Sequence, residues 1–454
     1  MKKRRILSVL LLLVVLVQLL CLPAAAQEQD LQLKCNYSLL MEAESGQILY
    51  EQQAYEKAYP ASMTKVMTGL LVLDALDAGT ITLDTMIPAS QLATTKEFAD
   101  ESTANLLPGE QMSVEDMMYC LLMPSANDCA RALAEYLGGS LDAFVEKMNQ
   151  RAGELGCKNT HYANVTGLHN PEHYTCAYDM VLVFREAMTY PLFMDIIGTT
   201  EYYTSSTNMS GSRYLYSLNG LVCEVRYPGY LYEYSLGGKT GSTSEAGKCL
   251  VSAARKNDLT LISVIMDSGI TYTDSGAEVH DRFVETVRLQ EYGFKNYRKA
   301  VLTQPETSVA SVAVTLSKDG KEVGVIPSGS IPVLLSNSIQ ESEIQTEITL
   351  FSETVEAPVE EGQVLGSMRL YHGDQTFGEL KLVAERSLSF SEKLLKRQNR
   401  RAFWAKNWGW ILASPFLLLL IPCVALVVLR YINIIQAKRR RQRRKAAARS
   451  RIKK

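Results

Sequence analysis

Hydrophobic and polar positions alternate in blocks that change character along the chain. Tyr37–Ala43 and Gln47–Tyr50 flank Glu44-Ser45-Gly46, the pattern of a β-hairpin. Met63–Leu76 is apolar nearly all round, which predicts a buried helix stopping at Gly79. Ser113-Val114-Glu115-Asp116 has the form of a capping box opening a second helix, closed by Pro124. A third helix is predicted over Asp128–Leu137, ending at Gly138-Gly139. Cys249–Ala254 and Leu259–Met266 predict paired strands around the Lys256-Asn257-Asp258 turn.

After Lys299 the pattern shortens. Val309–Leu316, Ile331–Leu335, Ile344–Leu350 and Leu380–Ala384 read as strands of a small all-β domain with no nucleophile–base spacing. Ser391–Lys406 has the pattern of a basic amphipathic linker, and Ile411–Leu429 is apolar throughout and long enough to cross a bilayer. Trp404, Trp408 and Trp410 stand where rings prefer a headgroup layer. At the other end Lys2–Arg5, the apolar Ile6–Leu22 and Ala24-Ala25-Ala26 form a secretory signal pattern.

Charge sharpens this division. The net charge of −2 hides +4 at Lys2–Arg5 and +12 from Arg430 to Lys454, leaving −18 on residues 27–429. Such an acidic body argues against nucleic-acid binding. By the positive-inside rule the tail stays cytoplasmic and the body lies outside the cell. Of nine cysteines, Cys21 falls in the signal and Cys423 in the span. The remaining seven lack a C-x-x-C pair and suggest neither a disulfide framework nor a zinc site. His169 and His173 are four apart, but Pro171 between them argues against one helical face.

Three short motifs carry the chemistry. Ser62-Met63-Thr64-Lys65 opens the buried helix, Ser125-Ala126-Asn127 lies between two helices, and Lys239-Thr240-Gly241 precedes a strand. A serine hydroxyl attacks only when a base takes its proton. On a helix Lys65 shares a face with Ser62, and desolvation would leave it neutral enough to serve. Ser125 offers a proton relay and Asn127 amide contacts to a peptide. Lys239 supplies a fixed positive charge for a carboxylate, Thr240 a hydroxyl, and Gly241 room for a peptide backbone.

With these motifs, Tyr37–Phe294 resembles the low-molecular-mass penicillin-binding proteins of the serine-type D-alanyl-D-alanine carboxypeptidase family. Pro60–Lys65, Asn127-Asp128, Met148-Asn149, Ala163-Asn164, Gly167-Leu168, Asp179-Met180, Gly238–Gly241 and Tyr292–Phe294 carry the likeness. The resemblance implies an α+β catalytic domain with an antiparallel sheet and helices, then the β-domain and a transmembrane helix. It further implies acylation of Ser62, an oxyanion hole from the N–H groups of Ser62 and Ser242, and Arg282 on the substrate carboxylate. Peptidoglycan stem peptides would be the substrates, β-lactams covalent inhibitors, and no cofactor or metal would be needed. Ala126, Gly238 and Ser242 depart from common family residues, which bears on substrate preference. The expected boundaries are a signal over 1–26, catalytic domain 27–296, β-domain 300–390, linker 391–410, span 411–429 and tail 430–454. A non-hydrolytic penicillin-binding sensor and a β-lactamase are the alternatives; the missing E-x-x-L-N segment speaks against the latter.

Overall fold

The computed structural model describes residues 31–303 and 306–451. The expected signal segment lies outside the described residues. Two compact units divide the chain: one holds residues up to Lys299 with Leu334–Ile339, the other Ala300–Val333 and Gln340 onward.

The first unit is built on an antiparallel sheet. β1 (Cys35–Glu42) and β2 (Ile48–Gln52) form the expected hairpin, with β3 (Ser235–Thr243), β4 (Gly247–Lys256) and β5 (Leu259–Ser268) completing the order β2-β1-β5-β4-β3. Period-two alternation sends successive side chains to opposite faces. Leu39 and Met41 on β1, with Ile262, Val264 and Met266 on β5, join one core; Leu40, Leu261 and Ile265 join another. The first core takes in α1 (Lys65–Asp77), α2 (Val114–Leu122), α3 (Asn127–Gly138) and α4 (Ala177–Ala187). On the opposite face α5 (Asp281–Asn296) packs Leu289 among the residues of the second core.

The helix ends follow ordinary capping chemistry. Ser113 Oγ accepts from the Asp116 N–H at 3.1 Å to start α2, and Gly139 takes the left-handed conformation (φ 76°) that ends α3. One expectation needs correction. The apolar run does not make one helix from Met63: Ala61–Thr64 is a 3₁₀ turn and α1 starts at Lys65. Ser62 and Lys65 therefore meet across a turn-to-helix junction rather than on a helical face.

The second unit contains a six-stranded sheet. β6 (Ala310–Thr315), β7 (Glu322–Pro327), β8 (Gln345–Leu350), β9 (Thr354–Glu356), β10 (Val364–His372) and β11 (Gln375–Ala384) are ordered β8-β10-β11-β7-β6-β9. Only β6 and β9 pair in parallel. The expected strand around Ile331–Leu335 exists as Pro332–Ser336 but stands outside this sheet. From Glu392 to Arg451 the chain is one helix, α6, unbroken by Pro415 and Pro422. The expected linker is thus its first part. By length and composition alone, α6 can cross a membrane.

Candidate active site

Ser62 sits on a strained turn held from several sides. Ala61 before it has φ 46°, a conformation costing a non-glycine residue about 1–2 kcal/mol. Thr64 Oγ1 donates to the Ala61 carbonyl at 2.8 Å, satisfying an acceptor the turn leaves open. The same hydroxyl lies 2.7 Å from His173 Nε2. His173 Nδ1 accepts from the backbone N–H groups of Ala163 (3.0 Å) and Asn164 (3.3 Å), which places the ring proton on Nε2. Burial above all holds this imidazole neutral, its pKa lowered to about 3. His173 is thus a buttress beneath the Ser62 turn.

Gly167 completes the support. Its φ is +84°, and a β-carbon there would stand 1.9 Å from the Ala61 carbonyl oxygen. On the other side Gly241 of β3 approaches so closely that a β-carbon would lie 2.7 Å from the Pro60 carbonyl. The strand bearing Lys239 and Thr240 is therefore set directly against the serine turn, a close approach by the protein's own backbone in addition to the substrate room expected of Gly241.

Lys65 is fully buried, its Nζ 3.0 Å from Ser62 Oγ and donating to the Thr166 carbonyl at 2.7 Å. Burial and then the charge of Lys239 depress its pKa well below the lysine range. A neutral amine donating to Thr166 keeps its lone pair for the serine proton. Lys239 is also buried, Nζ donating to the Thr240 carbonyl at 3.0 Å. Burial and the nearby Arg282 lower it to about 7, so it titrates in the neutral range instead of being the fixed charge expected.

Ser125 and Asn127 enter from the α2–α3 connection. Ser125 adopts φ 68° and is buried, and its Oγ has no protein partner among the described residues; nor has Asn127 Oδ1. Such strain at a loop tip persists only where surrounding bonds hold it. The Ala126 N–H donates to the Cys120 carbonyl (2.9 Å), the Asn127 N–H to Ser102 (2.8 Å). Asp128 accepts from the N–H groups of Ala104 (2.9 Å) and Leu106 (3.0 Å), tying the facing loop to α3.

Two adjoining spaces share Ser62. One, of about 480 Å³, is lined by Ser62, Ser125, Thr240, Gly241, Ser242, Lys248 and Arg282 among others. The other, about 310 Å³, includes Ser62, Asn127, Gly167, Leu168, Ser242 and Glu245. Arg282, only 3% exposed, is no solvated helix arginine: its Nη1 donates to the Gly241 carbonyl at 3.3 Å. Every expected site residue except Lys239 lines one of these spaces or, like Lys65, stands against Ser62; Lys239 is buried with its Nζ on the Thr240 carbonyl.

Residues 24–269 match the family model of D-alanyl-D-alanine carboxypeptidases, and 297–389 that of the penicillin-binding protein 5 C-terminal domain. The chain belongs to the D-alanyl-D-alanine carboxypeptidase family. It is 31% identical over 409 residues to D-alanyl-D-alanine carboxypeptidase DacF of Bacillus subtilis, covering 89% of this chain and 99% of that one. With DacC of Escherichia coli identity is 31% over 381 residues, 82% and 86% of the two chains. Penicillin binding protein 5 from Haemophilus influenzae superposes with TM-score 0.61 at 27% identity, covering 79% and 98%. Fold and catalytic class of the family are those the three motifs imply.

Within this family frame, His173 and the Thr166 carbonyl were not found by motif reading. His173 belongs to a histidine set that resembles a metal site in sequence, and only its contact with Thr64, 109 positions away, gives its role. The Thr166 carbonyl that holds Lys65 has no side-chain signature at all.

Proposed function

We propose that Ser62 is the acylated nucleophile of a serine D,D-carboxypeptidase acting on peptidoglycan stem pentapeptides. The carrying observation is Lys65: buried, depressed toward neutrality and 3.0 Å from Ser62 Oγ. Lys65 takes the hydroxyl proton as Ser62 attacks the carbonyl of the penultimate D-alanine. The N–H groups of Ser62 and Ser242, both lining the cleft, receive the oxyanion. Collapse breaks the peptide C–N bond, Ser125 passes a proton to the departing D-alanine nitrogen, and water hydrolyses the Ser62 ester with Lys65 again as base. Lys239, Thr240 and Arg282 hold the terminal carboxylate, while Asn127 and the Gly241 backbone align the peptide.

β-Lactams acylate the same oxygen. α6 anchors the enzyme, with the catalytic unit outside the membrane and the basic end inside. The test is release of D-alanine from a synthetic pentapeptide, followed by mass spectrometry, with Ser62→Ala alongside. Release by wild type and loss of both release and covalent penicillin labelling in Ser62→Ala are expected. Covalent labelling that survives in Ser62→Ala would remove the nucleophile assignment; labelling of wild type without release would leave a penicillin-binding protein without turnover.

A further inference from the structure

The two spaces that meet at Ser62 differ in charge. Arg226, Lys248 and Arg282 line the 480 Å³ space, against one acid, Asp100. The 310 Å³ space carries Asp100, Glu101 and Glu245, and among the described residues no lysine or arginine lines it. Glu101 is already paired: its carboxylate is shielded from solvent, 2.6 Å from the Arg131 guanidinium. Asp100 and Glu245 are exposed and have no ion pair among the described residues. The uncompensated negative charge of the cleft therefore stands on these two, at the end away from Arg282.

Both acids sit on loops that are held. Beside Asp100, the Glu97 N–H donates to the Glu101 carboxylate at 2.9 Å and the Ser102 hydroxyl to the Pro124 carbonyl at 2.6 Å. The second bond fastens this loop to the connection that bears Ser125. Glu245 occupies the turn between β3 and β4, where Thr243 Oγ1 accepts from the Ala246 N–H at 3.0 Å and Thr243 pairs with Gly247. An acidic pair alone is ordinary solvated surface. A buried polar atom on the same wall is not. Asn127 is 4% exposed, lines the 310 Å³ space, and its Oδ1 has no protein partner among the described residues. A buried amide oxygen calls for a donor, and an N–H of an extended peptide lying past Ser62 supplies one. Leu168 and the exposed Phe98 add apolar surface for the stem of a long side chain.

We propose that the 310 Å³ space receives the residue immediately before the D-alanyl-D-alanine pair, and that Asp100 and Glu245 select a side chain there that ends in a free ammonium. The proposal rests on the carboxypeptidase reading and deepens it by naming the class of peptide. With the terminal carboxylate on Arg282 and the scissile carbonyl at Ser62, the chain before that carbonyl leaves on the other side of Ser62, through the acidic space. Cations at one end of the cleft and anions at the other match a peptide that ends in a carboxylate and carries an ammonium two residues earlier.

The test uses the full chain in detergent and two pentapeptides that differ only at this residue, lysine in one and norleucine in the other. Release of D-alanine gives kcat/KM for each. An exposed ion pair contributes about threefold, so two should give wild type a preference of about tenfold for the lysine peptide at low salt. In about 1 M NaCl that preference should shrink to about twofold, a readout that needs no variant. Asp100→Asn and Glu245→Gln should each cut the ratio about threefold, and the double variant should bring it to about one. Glu245→Lys should reverse the sense, favouring norleucine over lysine and a glutamate peptide over both, which a merely structural role of the turn would not produce. A wild-type ratio of one, or a ratio that the double variant leaves unchanged, overturns the proposal while D-alanine release from both peptides upholds the carboxypeptidase reading. Release from neither peptide removes that reading, and the proposal with it.

Discussion

The two active-site lysines should titrate in opposite senses, and the pH profile of catalysis can separate them. Lys65 must be neutral to accept the Ser62 proton, so activity rises with pH through its depressed pKa and then levels. Lys239 must be protonated to attract a carboxylate, so binding falls as pH rises through about 7 in the empty site. A substrate carboxylate changes the second value. At ~4 Å and an effective dielectric of about 20, an opposite charge stabilises the ammonium by roughly 4 kcal/mol. That is about three pH units at 1.36 kcal/mol each, which moves Lys239 from about 7 to roughly 10 in the complex. The profile of kcat/KM, which reports the free enzyme, should therefore fall with unit slope above about 7 and be down about 100-fold at pH 9. The profile of kcat, which reports the complex, should stay level past pH 9. Lys239→Arg, whose guanidinium does not lose its proton, should remove the alkaline fall in kcat/KM at the cost of a lower plateau. Pentapeptide turnover from pH 5 to 10 measures all three curves. A wild-type kcat/KM that is flat between pH 7 and 9.5, or an alkaline fall that persists in Lys239→Arg, would refute the reasoning.

Three further outcomes follow from the same geometry. Gly167→Ala puts a methyl 1.9 Å from the Ala61 carbonyl at φ +84°; it should cost about 2–4 kcal/mol in urea unfolding and slow Ser62 acylation at least tenfold. His173→Ala removes the partner of Thr64 and of two backbone N–H groups and should cost about 2–4 kcal/mol at pH 7. Because His173 is lowered to about 3 in the folded protein, the unfolded chain takes up its proton first. Its contribution is complete above about 6.5 and is lost as pH falls toward 3. Melting temperatures of wild type and His173→Ala should accordingly converge on acidification through that window. Lys239→Met replaces a buried amine by an apolar chain of similar length, so urea unfolding at pH 7 should show a gain of about 1–3 kcal/mol while pentapeptide turnover falls by more than 100-fold.

What the chain alone reveals depends on how directly a contact constrains residue type. Ser62, Lys65, Ser125, Asn127, Lys239 and Thr240 could be singled out because hydroxyl, amine and amide side chains at these spacings are what such chemistry would use, and the fold brings Ser62, Ser125, Asn127 and Thr240 to two adjoining spaces. The hairpin at Glu44-Ser45-Gly46 and the strand pair around Asn257 were legible because period-two patterning and a turn agree there. β7 and β10 were not: Gly324 in one, Gly366 and Arg369 in the other interrupt the apolar pattern, while cross-strand pairing to β11 holds both strands in place. The start of α1 was misread for a related reason. Met63 and Thr64 are buried like the helix that follows, and apolar burial does not distinguish a 3₁₀ turn from the helix it feeds.

The deeper question is why two lysines buried to the same degree should hold their protons differently. Burial is the largest depressing influence on both, and the neighbouring charges that add to it differ between the two. Around Lys65, Glu101 and Asp128 favour its protonated form, whereas Lys239 and Arg131 oppose it. Those two acids are already engaged: Glu101 pairs with Arg131 at 2.6 Å, and Asp128 accepts backbone N–H groups at 2.9 and 3.0 Å. Lys65 is left with the opposing charges of Lys239 and Arg131. At Lys239 the charge of Arg282 adds to burial, and a docking carboxylate would offset that repulsion. Substrate binding thus loads the second lysine with positive charge at the moment the first must remain neutral, and each proton on Lys239 makes one on Lys65 harder to keep. On the proposed mechanism the terminal carboxylate would thus protonate Lys239 while Lys65, already depressed in the free cleft, stays neutral for attack.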